Sequence, residues 1–159
     1  MKKTNHKILL HSLSLLFISA FFCFLSSCEA KAQQKPTKSK TEAIIEIDAT
    51  YMKEYIYDFE ANPTRFVYKG DIPAIIDFYA TWCGPCRALA PKLQKLTKEY
   101  EGKLVVYKVD IDKNPSLAEH FGVKTIPTMI FVPLKGKPYS STGNLPMEAL
   151  HQMVKKILP

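Results

Sequence analysis

From Ile44 onward, short apolar runs alternate with stretches whose apolar residues recur at helical spacing. Ile44 to Asp48 alternates apolar and acidic side chains and predicts an edge strand. Tyr51, Tyr55, Ile56 and Phe59 predict a helix over Thr50 to Glu60, closed by Asn62-Pro63. Thr64 to Ile72 reads as a long connection in which Phe66, Val67 and Tyr68 form a local packing patch. Ala74 to Tyr79 is apolar except for Asp77 and predicts a buried strand. A helix follows from Cys83 through Leu89, Leu93 and Leu96, with Pro85 suited to its first turn and Pro91 expected to kink it. Gly102 ends that helix, and Leu104 to Val109 is the next buried strand. Asn114-Pro115-Ser116 opens a short helix that runs to Phe121 and stops at Gly122. Thr128 to Val132 and Tyr139 to Thr142 are strands on either side of a Lys135-Gly136-Lys137 turn. Leu150, Met153, Val154, Ile157 and Leu158 mark an amphipathic closing helix. The order β-α-β-α-β-α-β-β-α predicts an α/β domain, and no internal repeat is visible.

Two cysteines change this picture. Cys83 and Cys86 stand at CxxC spacing where a strand gives way to a helix. At a helix N-terminus the unpaired N–H groups and the dipole favour a thiolate, and a CxxC there has its first thiol lowered from about 8.5 to near 7. Cys83 is therefore the expected nucleophile. Cys86, one turn on and expected nearer the core, is placed to resolve a mixed disulfide. A structural zinc site would need two more ligands. His120 and His151 are far apart in sequence and do not form an H-x3-5-H pair, so no metal is expected. A purely structural bridge across so short a loop would add little stability.

The front of the chain places this chemistry. Met1-Lys2-Lys3 with Lys7 forms a basic start, and Ile8 to Leu25 is an uncharged apolar run, together the pattern of a secretory signal. The run ends in Leu25-Ser26-Ser27-Cys28, which resembles a bacterial lipobox cut ahead of a lipid-bearing Cys28. Ala30-Lys31-Ala32 offers a competing cut that would release a soluble protein from Gln33. An uncleaved anchor is a third option, although the apolar run is diluted by serines and short for a bilayer. All three put the domain outside the cytoplasm, on the periplasmic side of a bacterial membrane. Residues 1–27 thus read as the signal, 28–42 as a polar, disordered tether and 43–159 as a single domain, its 159-residue chain being 47% hydrophobic. Loss of Lys2, Lys3 and Lys7 with the signal leaves 19 of the 22 basic residues against 15 acidic ones, and much of the excess lies in the tether. No basic stripe interleaved with aromatics suggests a nucleic-acid partner. With Cys23 in the signal and Cys28 as lipid site, only Cys83 and Cys86 remain, so the pair serves exchange and not a disulfide scaffold.

Three blocks carry a resemblance to the thioredoxin family. They are Asp77-Phe78-Tyr79-Ala80-Thr81-Trp82-Cys83-Gly84-Pro85-Cys86-Arg87, Lys108 to Pro115, and Phe121 to Thr128. They resemble the family's active-site, third-strand and cis-proline segments, in order and spacing, and the likeness covers roughly residues 43 to 159. It implies the thioredoxin fold, a central mixed sheet flanked by helices on both faces. It also implies that Asp77 is the family's buried aspartate, accepting the proton of Cys86, with Lys108 as its lysine partner. Desolvation in an apolar strand should raise the Asp77 pKa, which suits that task. By resemblance the Ile126-Pro127 bond is cis, and the Ile126 backbone pairs with an extended substrate strand. Trp82, Gly84, Pro85, Ile126, Pro127 and Gly143 are the implied substrate surface. Tyr79 departs from the family, which often has a second tryptophan there, and Pro146 stands where a capping Ser or Thr is usual.

The resulting expectation is an extracytoplasmic protein dithiol-disulfide oxidoreductase that reduces protein disulfides, without a cofactor and as a monomer. Its electrons would come from a membrane thiol donor. A disulfide oxidant or isomerase, and a chaperone-like binding module that needs no redox chemistry, are the competing classes.

Overall fold

A computed structural model describes residues 44–159, and the expected signal, the Cys28 lipid site and the tether lie outside the described residues. Five strands form one sheet: β1 (Ile44–Glu46), β2 (Ala74–Tyr79), β3 (Val105–Asp110), β4 (Thr128–Val132) and β5 (Tyr139–Thr142), in the order β1-β3-β2-β4-β5. β1, β3 and β2 are parallel, whereas β4 runs antiparallel to β2 and β5 antiparallel to β4. The helices are α1 (Ala49–Tyr51, continued by a π-helical turn, Met52–Ile56), α2 (Gly84–Glu99), α3 (Pro115–His120) and α4 (Met147–Ile157).

Alternation along β2 divides the core. Ile76 and Phe78 face α1 and α3, packing with Met52, Ile56, Val109 and Leu117. Ile75 faces α2 and α4, packing with Leu89, Leu93, Leu96, Val106, Phe131, Leu150 and Val154. Asp77 falls on this second face by the two-residue period of a strand. Helices α2 and α4 contribute the apolar stripes that their spacing predicts.

The first helix is shorter than its periodicity predicts. It ends at Ile56 because Tyr57 turns extended, its N–H bonding to the Met52 carbonyl and its hydroxyl donating to the Asn62 carbonyl at 2.6 Å. Phe59 therefore packs from the following loop. The Thr64 to Ile72 connection adds to the main core: Phe66 lies 4.4 Å from the Tyr57 ring centre, and Phe66, Tyr68 and Ile72 all pack on the α1/α3 cluster. The Tyr68 hydroxyl bonds the Ile72 carbonyl at 2.7 Å, and a Cβ on Gly70 would come within 2.3 Å of that hydroxyl, so a larger residue at 70 would have to displace the Tyr68 ring. Helix α2 runs unbroken past Pro91, and α4 begins at Pro146 with no side-chain cap.

Candidate functional site

Cys83 is the N-cap of α2, and Pro85 sits in the first turn. Its extended backbone (φ −76°, ψ 109°) lets the side chain swing over the open end of the helix, where Sγ accepts the Cys86 N–H at 3.2 Å. Cys83 and Cys86 are joined by a disulfide, with S–S 2.06 Å. The two residues are 4% and 6% exposed, so both are buried in this state and exposure does not separate them. What distinguishes them is the helix end: Cys83 sulfur receives a helical N–H, a contact that favours negative charge on it.

Around the pair, the structure gathers the residues implied by the resemblance. Trp82 is 65% exposed, Gly84 and Pro85 are exposed, and Ile126 packs beside Cys83 and Cys86. The Ile126-Pro127 bond is cis, and Pro127 is buried. Gly143, at φ +87°, donates its N–H to the Pro127 carbonyl at 2.8 Å, a backbone conformation that side-chain-bearing residues rarely adopt. Four hydrogen bonds that fix this surface are not visible in sequence spacing. The Trp82 indole N–H donates to Asp112 Oδ2 at 2.8 Å, the Arg87 guanidinium donates to the Thr81 carbonyl at 3.1 Å, and Lys92 Nζ donates to Asn144 Oδ1 and the Leu145 carbonyl, both at 2.8 Å. The last pair ties α2 to the loop that carries Gly143.

Asp77 is 2% exposed, and its Oδ1 has no hydrogen-bond partner. Burial pushes its pKa from 3.8 up to about 6, against a smaller downward pull from the Lys108 charge. Lys108 eases the ionisation of Asp77 from the neighbouring strand without an ion pair. Although the two residues stand opposite in the β2–β3 register, no Asp77–Lys108 ion pair forms among the described residues. The Lys108 ammonium lies instead 3.7 Å from the centre of the Tyr79 ring and 3.9 Å from Glu46 Oε1. His120 is packed among Phe59 and Phe121, and His151 contacts Glu99 Oε2 at 2.6 Å, so neither is gathered with the cysteines.

The described residues contain no helix long and apolar enough to cross a membrane. The thioredoxin family model matches residues 54–156. A thioredoxin of Borreliella burgdorferi is 44% identical over 100 residues, 63% of this chain and 85% of that protein. A thioredoxin of Haemophilus influenzae is 33% identical over 66% of this chain and 98% of its own length. Among solved structures, a chloroplastic thioredoxin z aligns with a TM-score of 0.60 at 28% identity, over 72% of this chain and 93% of that one. With its mixed sheet between helices and its disulfide at the head of α2, the chain belongs to the thioredoxin family and is a protein-disulfide oxidoreductase.

Proposed function

We propose that this oxidoreductase works outside the cytoplasm as a reductant of protein disulfides, held to a membrane by lipid on Cys28. The observation that carries the chemistry is the N-cap position of Cys83, whose sulfur accepts a helix N–H beside a surface of exposed Trp82, Gly84 and Pro85 and half-buried Ile126 and Gly143. In the reduced protein the Cys83 thiolate attacks one sulfur of a substrate disulfide. A Cys83–substrate bond forms, and the other substrate sulfur leaves as a thiolate that takes a proton from water. Asp77 accepts the proton of Cys86, and the Cys86 thiolate attacks Cys83 Sγ. The mixed disulfide breaks, the substrate leaves with both sulfurs reduced, and the protein keeps the Cys83–Cys86 bond. Two electrons have passed to the substrate. The Ile126 backbone holds the substrate as an added strand during both attacks.

Location rests on residues 1–27 and the Leu25-Ser26-Ser27-Cys28 sequence. A domain so placed draws electrons from a membrane thiol donor. Direction rests on the motif: no His or charged residue lies between Cys83 and Cys86 to stabilise the thiolate further, and the ionised form of Asp77 opposes it. The reduced state is therefore not specially favoured, as it is in strong oxidants. Equilibration of the purified protein in glutathione buffers tests this. The expected midpoint lies nearer about −270 mV than about −120 mV, and a midpoint above about −170 mV would make the protein an oxidant.

A further inference from the structure

The register of the sheet sets Glu46, Lys108 and Asp77 side by side on three adjacent strands, all on the α2 face. A lysine between two carboxylates can pair with either one. Here the ammonium leans outward, over the Tyr79 ring at 3.7 Å and toward Glu46 Oε1 at 3.9 Å. The Tyr79 hydroxyl completes the arrangement by donating to the same Glu46 oxygen at 2.8 Å. Burial and the neighbouring Glu46, Asp110 and Asp77 carboxyls all push the Tyr79 phenol up, so it remains a donor throughout the working range. Asp77 is left buried, with one oxygen unpartnered.

We propose that Glu46 and Tyr79 are positioning residues for disulfide exchange: together they hold the Lys108 ammonium away from Asp77, keeping the buried carboxyl without an ion-pair partner. The consequence for the reaction rests on the reading of Asp77 as the proton acceptor of Cys86. A carboxylate paired directly with Lys108 would be a weaker base, because a cation at ion-pair distance stabilises its ionised form. The other charged groups nearby are already engaged. Asp110 Oδ1 accepts the Asp112 N–H, Asp110 Oδ2 lies 3.7 Å from Lys113, and Asp48 caps the first helix by accepting the Tyr51 N–H. At α2, Cys83 and Cys86 are silent in the disulfide form, Arg87 and Lys92 are bonded to the Thr81 carbonyl and to Asn144 and Leu145, Lys95 pairs with Glu99, which also contacts His151, and Lys98 is exposed. Glu46 and Tyr79 are thus the groups placed to set where the Lys108 charge sits.

The test is a carbon-13 titration of the Asp77 carboxyl in the oxidised full chain, assigned by its loss in Asp77→Asn. Glu46→Gln and Tyr79→Leu free the ammonium to move inward, and the Asp77 midpoint is expected to fall by roughly 1 pH unit. Lys108→Met should raise it, and adding Glu46→Gln to Lys108→Met should then change little. An unchanged midpoint in Glu46→Gln overturns the inference. So does an equal fall with Lys108 already removed, since Glu46 would then act on Asp77 by its own field. The pH profile of insulin disulfide reduction should move with the midpoint. A midpoint that falls as expected while that profile stays fixed upholds the positioning role and defeats the proton-acceptor reading of Asp77.

Discussion

Replacing Asp77 by Asn should make the stability of the oxidised protein respond differently to pH, and the size of the change follows from burial. Asp77 titrates near 6 in the folded protein and at the ordinary 3.8 when exposed. A difference of about 2 pH units corresponds to about 3 kcal/mol. Its sign is the reverse of the usual carboxylate case. Between these two values the folded state holds the proton more tightly than the unfolded state, so stability declines as pH rises from about 4 to about 6 and stays lowered above that. Asn is neutral throughout and removes this decline. Relative to wild type, Asp77→Asn should therefore gain about 3 kcal/mol between acid and neutral pH. An unpartnered amide at the site costs about 1–3 kcal/mol, but at every pH, so it offsets the whole curve and leaves the slope. Urea unfolding of both oxidised proteins across this range isolates the residue, because all other groups cancel in the difference. A difference that does not change with pH, or that shrinks as pH rises, would refute the argument that desolvation governs Asp77.

Further outcomes follow from the same geometry. Cys86→Ala should accumulate mixed disulfides at Cys83, visible on non-reducing gels and broken by reductant; comparable trapping through Cys86 in a Cys83→Ala variant would reverse the assigned roles. Lys92→Met removes two hydrogen bonds from a charged donor, each worth about 1.5–3 kcal/mol, and loosens the loop bearing Gly143. KM for protein disulfides should rise several-fold with kcat held, and an unchanged KM would show that substrate does not depend on this loop. Cys28→Ala should lose membrane fractionation and the mass of a diacylglycerol group, whereas a native N-terminus at Gln33 would favour the soluble alternative.

Local pattern alone located most of the fold. The strands at Ala74 to Tyr79 and Thr128 to Val132, the spacing of Leu89, Leu93 and Leu96, and the stripe of the closing helix are statements about residues within one or two turns of each other. Such statements survive folding because each element must bury one face. The CxxC at a strand–helix junction was legible for the same reason, since the helix end that meets the Cys83 sulfur is built from its own neighbours. Periodicity failed at the first helix, where Tyr57 leaves the helix to bond Asn62 and pack against Phe66 of a later loop. It was also blind to the partners of the site. Trp82 and Asp112 are 30 residues apart, Tyr79 and Glu46 33, and Lys92 and Asn144 52. Which of these meet depends on strand order and register, and those depend on how the two faces of the sheet are covered. The sequence on its own determined that a cysteine would head a helix and that an aspartate would lie in a buried strand; only the tertiary structure decided that Lys108 turns from Asp77 toward Tyr79 and Glu46, because a cation in a sheet goes where the aromatic face and the more solvated carboxylate together cost it least desolvation.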